Sequence, residues 1–356
     1  MAWRGRRAMK AMVLHEHGRP MILEEVPTPE PGRGEVLVRV RACGLGLTLV
    51  WNRNGRGLGR GGVSDKLPRI IGHEVAGDVM DVGPGVINFR TGDRVIVYFY
   101  LVCGDCRWCR IGREDLCDHH AGYVGRQIDG GLAEYIRLPA RNLCHIPPEL
   151  GYVEGAVTAD AIATPLHVLQ ERAQVKASET VLVLGAGGGV GIHMVQMARA
   201  LGGRVIAVDI TANKLALARE WGADETINGS EMAFDEEALR LTEGRGVDVV
   251  VELVGTHETM KASVRSLGKG GRLVFVGTYD PDATLTFNPR FLGNGEIILT
   301  GSRYCSRQDL AKTVEMVARG RIHPIVTRIC RLEEADEVLR MIEHKELAGR
   351  AAVVMS

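Results

Sequence analysis

Apolar and polar positions follow two different rhythms along this chain. From about residue 10 to 100, apolar residues come in short runs broken by turn formers. Val36–Ala42 (VLVRVRA) alternates apolar and basic side chains with period two, which predicts a half-exposed strand. Gly92–Tyr100 predicts another, opened by a Gly-Asp turn, and EVPTPEPGRGE predicts a loop. The stretch from Trp51 to Pro68 is rich in Gly and Arg and has no period, so it reads as a mobile surface loop. This half is expected to be all-β, a barrel or a strongly bent sheet.

Near residue 156 the rhythm changes. Continuous apolar runs at Val181–Leu184, Arg204–Val208, Val247–Leu253 and Arg272–Val276 alternate with helical patterns at Gly191–Leu201 and Asn213–Trp221. Strands buried on both faces and separated by helices predict a parallel α/β sheet. Beyond about residue 303, two helices are expected (Gln308–Arg319 and Leu332–His344), then a final strand (Ala351–Met355). There is no internal repeat.

Composition narrows the function classes. The 356 residues carry 44 basic and 44 acidic side chains, a net charge of zero, which argues against a nucleic-acid partner or a polybasic membrane anchor. Val181–Ala198 lacks charged residues but holds five glycines, a His and a Gln, so it is not read as a membrane span. The opening MAWRGRRAMK has three arginines and no apolar segment after it, which fits a disordered extension or an alternative start, with a transit peptide as a minor reading. The expected compartment is the cytoplasm. The 45 glycines exceed the usual share of about 7%.

Two constellations carry chemistry. The first is VLVLGAGGGVG: a strand, a glycine turn and a helix start. Gly185 allows a sharp turn, Gly188 and Gly189 let backbone N–H groups approach a pyrophosphate, and Gly191 lets the helix pack on the strand, with Val190 between them. The helix N-terminus favours phosphate. Asp209 ends the next strand, 24 residues after Gly185, where its carboxylate can accept ribose hydroxyls and repel a 2′-phosphate. NAD(H) is therefore preferred to NADP(H), although Lys214 could flank the same ribose. The second is Cys103, Cys106, Cys109 and Cys117, spaced C-x₂-C-x₂-C-x₇-C. Four converging thiolates close a tetrahedral shell, so a zinc ion there would be structural. A redox reading of the C-x-x-C pairs is the weaker alternative.

Together GHEVAGDVMDVGPGV, GDRV, the four-cysteine lobe, GGLAEY, ADAIATPLHVL, VLVLGAGGGVG, GADETIN and VDVVVELVG resemble the zinc-type alcohol dehydrogenases of the medium-chain dehydrogenase/reductase superfamily, over nearly the whole chain. The resemblance implies a GroES-like β-barrel catalytic domain (residues 1–157 and 303–356, with the zinc lobe at 100–120). It also implies an inserted Rossmann doubly wound dinucleotide-binding domain (158–302) and a cleft between the two. It further implies a small-molecule substrate, a homodimer or homotetramer, and cofactor contacts from Thr164, Val254, Val276 and Arg350, the last to the pyrophosphate.

Relatives of this type bind a second, catalytic zinc through a Cys, a His followed by Glu, and a Cys or Asp. Here His73, Glu74 and Asp160 match, but Gly46 stands at the Cys position, Leu49 at an Asp position and Trp51 where several relatives carry a relay His. Cys43 lies three residues upstream, about 10 Å away on a strand and on the opposite face. Asp160 also reads as a helix cap. Two mechanisms remain open. In one, a metal on His73, Glu74 and Asp160 polarises the substrate oxygen while Thr48 takes the alcohol proton. In the other, a zinc-free centre uses Thr48, His73 or Asp160 as proton or hydrogen-bond donors, as in reductases of C=C or C=N bonds. A catalytically inactive nucleotide-binding homologue is the third reading. Arg53, Arg56 and Arg60 are expected as solvated loop arginines. His119, His120, His167, Cys144, Cys305 and Cys330 are assigned no chemistry.

Overall fold

The computed structural model describes residues 8–56, 66–277, 280 and 282–355. The chain divides into two compact units, residues 1–160, 306–319 and 326–356, and residues 161–305 and 320–325.

The first unit is mainly β. Its strands are β1 (Ala8–Leu14), β2 (Ile22–Pro27), β3 (Glu35–Leu45), β4 (Arg69–Ile70), β5 (Glu74–Val82), β6 (Arg94–Val97), β7 (Tyr135–Pro139) and β8 (Leu143–His145). The second unit contributes β9 (Thr180–Leu184), β10 (Arg204–Asp209), β11 (Glu225–Asn228), β12 (Val247–Glu252), β13 (Leu267–Phe275) and β14 (Ile298–Gly301). The chain then returns to the first unit with β15 (Val326–Cys330) and β16 (Arg350–Val354).

In the first unit β2-β1-β4 form one sheet and β15-β16-β3-β5-β6-β8 the spine of another, with β7 also on β3. The long strand β3 organises this second sheet. One of its edges pairs with β5, and the other pairs with β7 over Glu35–Arg39 and with β16 over Ala42–Leu45. The expected strand from Gly92 to Tyr100 stops at Val97. Beyond it, Tyr98, Phe99 and Tyr100 are buried and stacked, and their backbone bonds pass to Asn142, Val124 and its neighbours. Residues 57–65 of the loop expected over Trp51–Pro68 lie outside the described residues, and its first three residues end a helix instead. Leu47–Arg53 is a helix with Leu49 and Val50 buried. Arg53 is buried as well, donating to Asp336 (3.4 Å) and Glu343 (2.5 Å) of the helix Ala335–Glu343. Among the expected loop arginines, Arg56 is exposed and Arg60 lies outside the described residues.

The second unit is a six-stranded parallel sheet of order β11-β10-β9-β12-β13-β14, which is 3-2-1-4-5-6 in its own chain order. Leu182, Ile206, Val208, Val250 and Leu273 fill its core. The return segment 320–325 is tied to the helix Gly191–Ala200. Gln196 Nε2 donates to the His323 carbonyl (2.8 Å), His323 N–H donates back to Gln196 Oε1 (3.1 Å), and Ile325 N–H donates to His193 Nε2 (2.8 Å). No helix among the described residues is long and apolar enough to cross a membrane.

The buried Arg53 pair gives the first prediction. Arg53→Ala strands Asp336 and Glu343 and is expected to cost about 2–3 kcal/mol, below the full range for a buried pair because Glu343 is partly exposed. Chemical denaturation checks this, and a loss under 0.5 kcal/mol, on the order of a surface change, would sink it.

Candidate functional sites

The glycine turn stands at the C-terminal end of β9, the end of a parallel sheet outside which dinucleotides bind, and leads into the N-terminus of the helix Gly191–Ala200. Gly185 adopts φ +71°, a conformation that favours glycine. A Cβ on Gly191 would lie 2.0 Å from the Gly185 carbonyl oxygen, so the helix start can approach the strand only without a side chain. Gly188, Gly189 and Val190 are half-buried, ahead of the helix Gly191–Ala200. Asp209 closes β10, with its carboxylate accepting from Gly187 N–H (2.9 Å) and Ile210 N–H (2.8 Å). Val254 packs 3.5 Å from the Cβ direction of Gly185. Val276 N–H donates to the Glu252 carbonyl just after β13, and Thr164 is buried. Lys214 is buried too. Its Cβ lies 2.3 Å from where a Gly187 side chain would start. Gly187 was not singled out from the sequence. Its requirement comes from the approach of the helix Ala212–Glu220, and its place as the first of three consecutive glycines was the available signal. These residues fit a dinucleotide: a helix start, a bare backbone and a positioned carboxylate.

The four-cysteine lobe lies in the first unit. The Sγ atoms of Cys103 and Cys117 are 3.5 Å apart, Cys106 and Cys109 3.6 Å, Cys103 and Cys109 3.9 Å, and Cys106 and Cys117 3.9 Å. A tetrahedral zinc with Zn–S near 2.3 Å needs S–S edges of about 3.8 Å. Disulfide-bonded sulfurs would be about 2 Å apart, whereas all four cysteines are free here. Backbone N–H groups of Cys103 and Cys106 point to the sulfurs of Cys117 and Cys103. The backbone N–H at Cys109 holds the Cys106 thiol down to about 6, so one donor is readily a thiolate. The lobe fits a zinc ion.

The third constellation is His73, Glu74 and Asp160, whose donor atoms lie within 4.8 Å of one another, all buried. His73 sits in the turn entering β5, with its ring edge-on to Phe99 (4.9 Å), and Glu74 is the first residue of β5. Asp160 lies in a widened π-type turn, Thr158–Ile162, inside a helical stretch begun at Tyr152, so it does not cap a helix start. His73 Nε2 and Asp160 Oδ2 are 3.1 Å apart. Glu74 is engaged elsewhere: Arg350 Nε donates to its Oε2 (3.2 Å), and Arg350 Nη2 donates to its Oε1. Burial pushes the Glu74 carboxyl up to about 6, against the pull of Arg350. Arg350, expected at a pyrophosphate, is thus buried against a carboxylate. Cys43 is buried on β3, and its sulfur does not belong to the donor group. Thr48 is half-buried in the helix Leu47–Arg53, Trp51 is half-buried, and Leu49 is core. With Glu74 committed to Arg350, two donors remain, one short of the three protein ligands of a catalytic zinc. This constellation does not fit one.

Comparison with known proteins agrees with both units. The family models described as "Alcohol dehydrogenase GroES-like domain" and "Zinc-binding dehydrogenase" match residues 32–148 and 189–319. The chain is 34% identical over 351 residues to an NAD-dependent alcohol dehydrogenase of Sulfurisphaera tokodaii, covering 97% of this chain and all of that one. It is also 34% identical over 342 residues to an acryloyl-coenzyme A reductase of Metallosphaera sedula, covering 96% and 98%. Among solved structures, that of AibC superposes with a TM-score of 0.89 at 37% identity, covering 98% of this chain and 96% of the other.

Two predictions follow from these geometries. Cys109→Ala is expected to lower the zinc content by one ion per chain and open residues 103–117 to protease; unchanged metal content would refute the lobe. The raised Glu74 carboxyl means the folded chain holds that proton more tightly than the unfolded chain. Its contribution to stability is therefore present at low pH and falls as pH rises from 4.5 to about 6. Unfolding free energies against pH should show this fall, and Glu74→Gln should remove it; identical slopes would count against it.

Proposed function

The chain belongs to the zinc-type alcohol dehydrogenases of the medium-chain dehydrogenase/reductase superfamily, and from that premise we propose that it interconverts an alcohol and an aldehyde or ketone by NAD(H)-linked hydride transfer. One observation carries the reading. The glycine turn and Asp209 stand together on neighbouring strand ends of a 3-2-1-4-5-6 sheet, in a chain that also holds a buried His–carboxylate pair. Bound NAD(H) would supply or accept the hydride. The helix start at Gly189–Gly191 would present backbone N–H groups to the phosphates over the bare turn from Gly185 to Gly188, Asp209 would accept the ribose hydroxyls, and Lys214 would flank them. Thr164, Val254 and Val276 would line the dinucleotide. The substrate is a small molecule.

In the reduction direction the carbonyl carbon gains a hydride and its oxygen a proton. His73, oriented by Asp160, would give that proton, with Thr48 as the hydroxyl relay, and would take it back in oxidation. No step needs a metal at this centre. The four-cysteine zinc would pin its lobe and take no part in the chemistry.

A second reading is favoured by the incomplete ligand set and by the acryloyl-coenzyme A reductase relative. In it the hydride goes to the β-carbon of an activated C=C bond and a proton to the α-carbon. A homodimer or homotetramer in the cytoplasm completes the proposal.

The test is turnover with NAD(H) on parallel panels of alcohols, aldehydes and enoyl thioesters. No turnover on any panel overturns the proposal, and turnover on the thioesters alone selects the second reading. His73→Gln is expected to cost about 10²–10⁴-fold in kcat. Asp209→Ser is expected to raise the KM for NAD about 10- to 100-fold, as loss of hydrogen bonds to a charged acceptor implies, and to narrow the preference over NADP. An unchanged preference would remove Asp209 from the ribose site.

A further inference from the structure

The helix Gly191–Ala200 starts with Val190 at its N-cap, which makes no side-chain capping bond. Two of the bonds that shape the glycine turn run from backbone to backbone: Gly188 N–H to the Gly185 carbonyl (3.1 Å) and Ile192 N–H to the Gly188 carbonyl (2.9 Å). The next peptide, Gly189–Val190, is gripped by a side chain. His193 Nδ1 lies 2.8 Å from the Gly189 carbonyl oxygen, a bond back to the residue four places earlier. The other ring nitrogen, Nε2, accepts from the Ile325 backbone N–H (2.8 Å). A backbone N–H only donates, so Nε2 is the bare nitrogen and Nδ1 carries the hydrogen. The Gly189 carbonyl only accepts, so both bonds require the same tautomer of a neutral ring.

His193 and Ile325 are both buried. Gln196, three residues further along the same face of the helix, meets the backbone of His323 with both of its amide atoms. The backbone of residues 323–325 is therefore fixed against this face, and the Ile325 N–H sets the orientation of the ring. The grip on Gly189 has a consequence on the other side of the peptide. A trans peptide is planar, and its carbonyl and N–H point in opposite directions. With the Gly189 carbonyl turned inward to His193, the Val190 N–H points outward from the helix start.

We infer that His193 is a positioning residue of the dinucleotide site: its Nδ1–H fixes the Gly189–Val190 peptide so that the Val190 N–H faces the pyrophosphate, and the return segment, through Ile325, fixes His193. The turn that meets the phosphates is then held from beneath by a segment that lies outside the sheet carrying it. The inference rests on the proposed dinucleotide site and goes beyond it in naming what holds the turn in shape.

The experiment measures, by titration calorimetry on the full-length protein, the binding of ADP-ribose, which carries the pyrophosphate, and of adenosine, which lacks it. Melting temperature is measured alongside. Three variants separate the two ring nitrogens. His193→Asn places an amide N–H near the position of Nδ1 and nothing at Nε2. His193→Gln places an amide oxygen near Nε2 and no donor at Nδ1. His193→Ala removes both. His193→Ala is expected to weaken ADP-ribose binding about 10-fold, on the order of one hydrogen bond to a charged group, and to leave adenosine unchanged. His193→Asn is expected to restore ADP-ribose binding while melting below wild type, and His193→Gln to bind as weakly as His193→Ala. Unchanged ADP-ribose binding in His193→Ala, equal weakening of both ligands, or rescue by His193→Gln in place of His193→Asn would each overturn the inference. Should His193→Ala fail to fold, the Asn and Gln variants decide, and equal ADP-ribose affinities in those two refute it. A wild type that binds neither ligand defeats the proposed dinucleotide site and this inference with it. A wild type that binds ADP-ribose no better than His193→Ala does defeats this inference and leaves the site standing.

Discussion

The ion pair between Glu74 and Arg350 ties the first unit together. It joins the first residue of β5 to the first residue of β16 across β3, adding a buried side-chain contact to the backbone ladders that pair these three strands. Burying two charges is expensive, and the cost is offset only by close, bidentate geometry. Bare backbone at Gly44 and Gly46 lies beneath it. The neighbouring His73 and Asp160 are placed by the same frame, because His73 directly precedes β5. The polar chemistry of this unit therefore grows out of a structural contact.

The two possible metal positions differ in how they are built. The cysteine lobe closes on itself within fifteen residues, and its sulfurs converge by local turns. The His73 centre is assembled from a turn and a distant helical segment, with its third acidic member turned toward an arginine. A self-contained cage tolerates changes elsewhere in the fold. An assembled centre can lose its metal through one neighbouring substitution while its remaining polar groups stay in position.

Most of what was legible in the sequence was local. The parallel sheet announced itself through continuous apolar runs, the glycine turn through its flanking strand and helix, and the lobe through cysteine spacing. Each depends on residues within a few positions of one another. What stayed hidden depends on distant partners. The helix Leu47–Arg53 has a glycine at its N-cap with no side-chain cap, and glycine-rich sequence follows it, so it carries no boundary signal. It is anchored by Arg53 to residues 283 and 290 positions away. Arg350 meets a partner 276 residues distant, and nothing near position 350 encodes the register of β16 that brings them together. The absence of a cysteine at Gly46 was readable, but what fills the space was not. Gly187 shows the same limit on a smaller scale, since the glycine is visible and the helix pressing on it is not.

The placement of β16 bears on how the chain is made. β3 emerges from the ribosome well before the partner of its Ala42–Leu45 half, which lies in Ala351–Val354. Residues 161–305 are complete before then, and domains fold as units while the chain is still growing. The dinucleotide unit can thus settle while the first unit still presents an unpaired strand edge, a surface that recruits foreign strands. Until β16 is made, β7 is the strand that guards that edge of β3, and the Glu74 carboxylate beside it waits for an arginine still to be added to the chain.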